Sequence, residues 1–432
     1  MTLRRILEAP IADLTFADIE ALIREEAEEG LRLELKRSLP ANDRDGDPWM
    51  KGAKRFSNPA RDGLAKEIVA LANAYGGAVV VGIDETDDHP KRARGPDPVL
   101  IPRIAACAEQ MQQALDNLID PPLAVFEVRG IEQPGGDGEG VLIIRTGSST
   151  RAPHGHGRPP LAYMRRGSRS EPMTMRDLQS VLFETRTRGE RVSALLDERQ
   201  RVLAEMVRRG PGSITVHQSQ PFVGREAVWF RCTLVATEDL HLRADDLSRK
   251  AAFIRPRPAG PTAFGEGGFV DSWRPRLGGV ENFDSTSRQF GRWFIGDHGI
   301  VDAYGFVALD KFHGVERVFP PELFPPVALQ VIALGERLRR LARRPEVELA
   351  IECEFLVYGL ANAMPIGHAF ADEVPVTEGA TRIGPYSLGN FEDWQATFAQ
   401  LERGIWHGLG LPIRKLVTFE LERWLAETHP GL

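Results

Sequence analysis

Residues 78–83, AVVVGI, are apolar throughout and show no polar alternation. A strand with one wet face alternates, so this run predicts a central strand covered on both sides, and with it helices layered over a sheet. A helix is predicted just before it, from about Arg61 to Tyr75, with Leu64, Ile68, Leu71 and Tyr75 along one stripe and Gly76 and Gly77 as its stop. Asp84 stands where the strand ends.

Upstream, Thr15 and Asp18 have capping-box spacing ahead of a helix reaching about Glu28, with Phe16, Ile19, Leu22 and Ile23 on one face. LRLELK, residues 31–36, follows as a half-buried strand, with Leu31, Leu33 and Leu35 facing the core and Arg32, Glu34 and Lys36 facing away. The polar stretch from Ser38 to Pro59 predicts a loop. A helix over about Pro102–Ile119 ends at Pro121 and Pro122, LAVFEVRG (123–130) and GVLIIRT (140–146) flank a Gly-rich turn as a hairpin, LAYMRRG (161–167) is a short strand, and residues 173–209 are predominantly helical.

This order predicts an α+β chain: an N-terminal α/β domain with a mixed sheet over 1–190, a connecting helix at 191–210, and a second mixed α+β domain over 211–432. In the second half, SITVHQSQPF, REAVWFRCTLVA, RQFGRWFIG, GIVDAYGFVALDKF and VELAIECEFLVYG read as strands and residues 327–343 as an amphipathic helix. Trp394, Phe398, Leu401 and Trp406 have helix-like spacing, and a closing segment runs over 416–425.

A length of 432 residues suits two domains of roughly 100 to 200 residues or slightly more, and 42% apolar with 27% charged residues is the balance of a soluble globular chain. The longest apolar runs are strand-sized, so neither a secretory signal nor a transmembrane helix is expected. Cys107, Cys232 and Cys353 lie far apart without CxxC spacing and read as buried small hydrophobes in a reducing cytoplasm. The net charge of −7 does not point to nucleic acid. The local distribution does: residues 151–170, RAPHGHGRPPLAYMRRGSRS, hold five arginines and no acid. Arg151, Arg165, Arg166 and Arg169 are candidate phosphate contacts, with His154 beside them and Tyr163 as a candidate stacking residue. A solvated hairpin rim would have the same composition.

Glu34 and Lys36 lie on one side of a strand about 7 Å apart, Glu29 stands at the turn just upstream, and Asp84 supplies a third carboxylate. Carboxylates are hard oxygen ligands for Mg²⁺ or Mn²⁺, and a lysine adds positive charge near a scissile phosphate. Without a cation such a cluster is under mutual repulsion. A charged strand face is also what a solvated surface produces, and an acid after a strand commonly starts a turn, so spacing alone leaves both readings open. Asn73, ahead of the double glycine, reads as a helix C-terminal residue.

The succession EGLRLELK, LANAYGG, AVVVGIDE and RAPHGHGRPPLAYMRRGSRSEPMT, over roughly residues 14–190, resembles the Schlafen AlbA-like domain family, also described as a DNA-binding or divergent ATPase domain. In nuclease members, two glutamates five residues apart and an aspartate after the glycine-led strand form the active centre for cutting structured RNA, notably transfer RNA, with a divalent metal. The resemblance therefore implies a metal-dependent endoribonuclease with Glu29, Glu34 and Asp84 as metal ligands, Lys36 beside them as a catalytic residue, and RNA as partner, DNA being the second choice. It also implies a role in bacterial defence or stress response.

Some features depart from the family. The loop from Arg37 to Pro59 is long, the family's zinc ligands have no counterpart, and there is one copy where vertebrate Schlafens have two, so a clamp would take a homodimer or the second domain. ATP hydrolysis has little support: GxxxxGK[ST] does not occur, and Gly76–Gly77 precede a strand, whereas a phosphate-cradling loop follows one. Two alternatives stand beside the nuclease: a non-catalytic DNA- or RNA-binding regulator, and a ligand-sensing scaffold suggested by Trp229, Trp273 and Trp293.

Overall fold

The computed structural model places the apolar run at the centre of a four-stranded sheet, starting one residue early at Gly77. The structure describes residues 2–42, 46–209, 227–242, 247, 273–285, 289–312, 314–364, 374–390 and 394–413. The chain divides into two units, 1–189 with 343–348, and 190–342 with 349–432.

In the first unit the elements are α1 (Thr2–Glu8), α2 (Phe16–Arg24), β1 (Leu33–Lys36), α3 (Asn58–Ala72), β2 (Gly77–Val81), β3 (Asp84–Glu85), β4 (Ala93–Arg94), α4 (Ile104–Asp116), β5 (Ile119–Asp120), β6 (Phe126–Glu132), β7 (Gly140–Thr146), β8 (Gly155–His156), β9 (Leu161–Arg166), β10 (Arg169–Pro172) and the start of α5 (Met175–Arg209). The main sheet has the order β1-β2-β7-β6, parallel between β1 and β2 and antiparallel elsewhere. Strand side chains alternate, so β2 and β7 serve two cores. Ala78, Val80, Val141 and Ile143 pack with Leu33, Leu35 and residues of α1 and α2, while Val79, Val81, Leu142 and Ile144 pack with Leu64, Ile68, Cys107 and Met111 of α3 and α4. The result is three layers, the both-face coverage that an unbroken apolar run requires. A second, antiparallel sheet has the order β10-β9-β8-β5.

Local chemistry sets the boundaries. The capping box is present, with Thr15 N donating to Asp18 Oδ2 at 2.8 Å. The helix stops at Arg24, short of the expected Glu28, because Glu26 takes a φ of 46° and the chain leaves extended, Glu29 N donating to Lys91 O and Ala93 N to Ala27 O. α3 starts at Asn58, ahead of expectation, because the Ser57 hydroxyl accepts from Ala60 N and Pro59 occupies the first turn. It ends at Ala72, which leaves Tyr75 exposed and off the apolar stripe. A Cβ on Gly77 would lie 2.3 Å from the Arg32 carbonyl oxygen, so the second glycine of the pair is what lets β2 close onto β1. Leu31 precedes β1 and is exposed, contrary to the core position that alternation predicts. The long loop is anchored: buried Asp47 accepts from Trp49 N and Ser57 N, both at 2.9 Å, and the buried Trp49 indole donates to Pro102 O.

The second unit contains the rest of α5, then β11 (Ala227–Ala236), β12 (Arg274–Arg276), β13 (Gly279–Ser285), β14 (Gln289–Gly296), β15 (Ile300–Ala308), β16 (Asp310–Phe312), β17 (Val315–Phe319), α6 (Pro325–Ala342), β18 (Leu349–Val357), β19 (Ala361–Ala363), β20 (Val374–Val376), β21 (Gly379–Leu388) and α7 (Trp394–Gly408). Its main sheet is antiparallel with the order β12-β13-β14-β15-β11-β18-β21, and β16-β17-β19-β20 form a smaller one. The expected strand over 213–222 and the closing segment over 416–425 lie outside the described residues.

One face of the large sheet carries Phe230 and Phe355, whose rings meet Phe324 just ahead of α6. The alternate positions are charged. Pairing register puts Arg292, Tyr304, Arg231, Glu354 and Arg382 in one row, and Glu281, Phe294, Asp302, Thr233 and Glu352 in the next. Cys232 and Cys353, distant in sequence, are direct cross-strand partners. All three cysteines are free and buried, and burial pushes the Cys232 thiol up.

Candidate active site

β1 is an edge strand, and its outward backbone groups need partners. Two charged side chains supply them. The chain turns at Gly30, whose N–H donates to Leu33 O, and this folds Glu29 back so that its Oε1 accepts from Leu35 N at 2.9 Å. From β9, Arg165 Nε donates to Gly30 O at 3.0 Å and Nη2 to Leu33 O at 3.1 Å.

Because Leu33 and Leu35 point toward α1 and α2, Glu34 and Lys36 point toward α3 and β9. Glu34 is 3% exposed. Its Oε1 is bonded to Lys36 Nζ and its Oε2 lies 2.5 Å from Arg165 Nη2. Glu67 of α3 closes the cluster, 3.4 Å from Arg165 Nη1 and accepting from the Ser170 hydroxyl. The charged side of LRLELK is therefore a buried ion-pair centre and not a solvated face.

Glu29 is also buried, and its carboxyl is pushed up to about 7, first by burial and then by the negative charge of Glu34, with Glu85 adding and the Leu35 N–H opposing. Burial works against the Lys36 ammonium, but Glu34, Glu67 and Glu29 outweigh it and raise its pKa. The shift at Glu29 gives a stability prediction. Between the unfolded value of 4.5 and about 7 the folded chain holds the extra proton, so this contribution is complete below pH 4.5 and is lost as pH rises through 7, a change of about 3 kcal/mol. Urea midpoints at pH 5 and pH 8 should fall with pH in the wild type, and Glu29→Gln should remove that part of the slope.

Asp84 follows the central strand as expected but pairs with Arg94, Nη2 to Oδ2 at 3.2 Å, across the β3–β4 hairpin. The next residue, Glu85, is bonded to Lys91 and interacts with Glu29. Sequence reasoning missed Glu67, Glu85 and Lys91. For Glu67 a signal exists, since it follows Leu64 by three positions and precedes Leu71 by four on the buried stripe.

Among the described residues no three His, Cys, Asp or Glu side chains are arranged to hold a metal ion. The oxygens of Glu34 face Lys36 and Arg165, and one oxygen of Asp84 faces Arg94.

The arginine-rich segment splits into two sets. Arg166 and Arg169 sit opposite each other at the exposed end of the β9–β10 hairpin, Arg166 lying 2.6 Å from Asp177, and Arg151 is exposed. Arg165 faces the centre and is buried, its guanidinium turned away from solvent. His154 is 0% exposed, its N–H donating to Asn73 Oδ1 and its Nδ1 lying 2.6 Å from Pro121 O, and burial holds its pKa below the usual imidazole range. Asn73 follows α3 as the helix C-cap and also ties it to the segment, donating to His154 O and Tyr163 O. The Tyr163 ring stacks on His156 at 5.4 Å, with Lys66 5.8 Å from its centroid.

Residues 29–174 match the family model described as Schlafen, AlbA_2. The match opens on Glu29 and spans Glu34, Lys36, Asp84 and the whole arginine-rich segment, so the first unit carries a Schlafen AlbA_2 domain, a class of nucleic-acid-related function. It covers less than half of the chain. No curated protein and no solved structure matches. Among the described residues no helix is long and apolar enough to cross a membrane.

Proposed function

We propose that the first unit binds structured RNA, transfer RNA foremost, and cuts its phosphodiester backbone at the Glu29–Glu34–Lys36 centre. The observation that carries this reading is the convergence of two buried carboxylates and a lysine on one edge strand, inside the stretch that matches the Schlafen family. In this reading Glu29, a carboxyl that exchanges its proton near neutrality, gives or takes a proton at the reacting oxygen. Lys36 balances charge on the phosphate, and Arg151, Arg166 and Arg169 hold the flanking backbone. Depletion of transfer RNA suits a defence or stress role in the cytoplasm, and a second copy of the chain is one way to complete a clamp.

The resemblance also implies Mg²⁺ or Mn²⁺. Since Glu34 already faces cations of the chain, the ion belongs in the test as a separate arm. Labelled transfer RNA and single- and double-stranded DNA are incubated with the protein and Mg²⁺, Mn²⁺ or chelator. Cut transfer RNA, with DNA bound more weakly and left whole, is the expected result. The full pairing of Glu34 favours one other reading, a DNA- or RNA-binding regulator that does not cut; binding without cleavage in every arm would establish it.

Arg166→Ala and Arg169→Ala should each weaken binding to all RNAs alike and lower the slope of log K against log salt by about one, with the cleavage rate of bound RNA unchanged. Filter binding across a salt series reads this, and an unchanged slope removes these residues from the interface.

A further inference from the structure

We propose that Arg165 is the positioning residue of this centre, its guanidinium fixing Glu34 against the edge of β1 while its outward neighbours Arg166 and Arg169 meet nucleic acid. The proposal rests on the reading of Glu34 as a catalytic carboxylate.

Arg165 is an arginine spent entirely inside the protein. Its side chain is 1% exposed, and every guanidinium nitrogen is engaged. Nε donates to Gly30 O, Nη2 reaches Leu33 O and Glu34 Oε2, and Nη1 reaches Glu67 Oε2 and Ser170 Oγ. One planar group thus ties β1, α3 and the β9–β10 hairpin to the carboxylate between them. Two of the contacts satisfy edge carbonyls that a flexible ammonium would not reach together with Glu34, because the guanidinium holds five donors in a fixed plane and lysine has three on one nitrogen. Glu67 and Ser170 bear on the same guanidinium through Nη1 and on each other through the Ser170 hydroxyl. Strand alternation explains why adjacent arginines divide the work. Arg165 shares its side of β9 with Tyr163, which packs against the core under α3, and Arg166 takes the other side.

The test separates positioning from phosphate contact and from bulk structure. Arg165→Lys keeps a cation beside Glu34 and Glu67 and loses the fork. Single-turnover cleavage of labelled transfer RNA should slow by about 10- to 100-fold, while the dissociation constant and its salt slope stay within twofold of the wild type. Arg166→Ala should show the contrasting signature, weaker binding with a lower salt slope. Glu67→Gln, which retains an acceptor for Ser170 and Arg165, should slow cleavage by less than Arg165→Lys, again without a change in binding. It carries the test if Arg165→Lys melts early in circular dichroism.

A lower salt slope with the rate preserved in Arg165→Lys would overturn the proposal by making Arg165 a phosphate contact. Rates and affinities equal to wild type in both variants would overturn it as well. A wild type that binds transfer RNA and never cuts it would instead overturn the nuclease reading, and the proposal with it; that failure shows in the wild-type lane alone.

Discussion

Glu34→Gln should bind transfer RNA as the wild type does and cut it about 10²- to 10⁴-fold more slowly, the range that loss of a positioned carboxyl produces. The substitution keeps the shape of the side chain and one acceptor oxygen, but removes the charge that both cations face and sets an amide N–H against one of them. Its cost in stability should stay at or below the low end for a broken buried pair, about 3 kcal/mol, because Arg165 retains Glu67 and the two edge carbonyls, and Lys36 is partly exposed and can turn to water. A melting curve beside the cleavage assay tells loss of chemistry from loss of fold. A folded variant with wild-type rate would remove Glu34 from the reaction.

The second large effect is in the other unit. Arg231→Ala should destabilise it by about 3 to 5 kcal/mol, because it takes the buried cation away from two buried carboxylates and leaves Glu354 without one. Arg231 is 0% exposed, lies 2.5 Å from Glu352 and 3.0 Å from Glu354, and donates to the Thr233 hydroxyl at 2.7 Å. Arg382 still covers Glu352, and Gln200 of α5 donates to Glu354, so the loss falls hardest on the Glu354 oxygen that Arg231 holds. For a unit of this size the melting temperature should fall by roughly 10 °C. Arg231→Met combined with Glu354→Gln should recover part of that loss, since a buried pair replaced as a pair costs far less than one that is broken. An unchanged melt in Arg231→Ala would show that water reaches this layer and screens it.

How far the sequence could be read follows from which interactions are local. AVVVGI has no polar position to turn outward, so its place at the centre of the sheet was legible from the run itself. Thr15 and Asp18 interact across three residues, and the capping box was legible for the same reason. Glu29 and Glu34 come together through one tight turn at Gly30, which their spacing anticipates.

What stayed hidden depends on direction or distance. LAYMRRG contains two adjacent arginines, and alternation says that one points inward without saying which; the answer lies with Glu67, 98 residues away, which faces the Arg165 guanidinium. Asp84 and Glu85 pose the same ambiguity across the β3–β4 hairpin. His154 lies in an aperiodic loop, where no pattern reports burial. In the second unit Arg231 meets a carboxylate 123 residues further on, and antiparallel register over such a separation leaves no trace in any local window.

The most direct measurement puts one labelled transfer RNA with wild type and with Glu34→Gln at saturating protein, and reads bound RNA and cut RNA from the same samples. The account predicts equal binding, with fragments accumulating in the wild type and nearly absent in the variant. Intact bound RNA in both, or equal fragments in both, would contradict it.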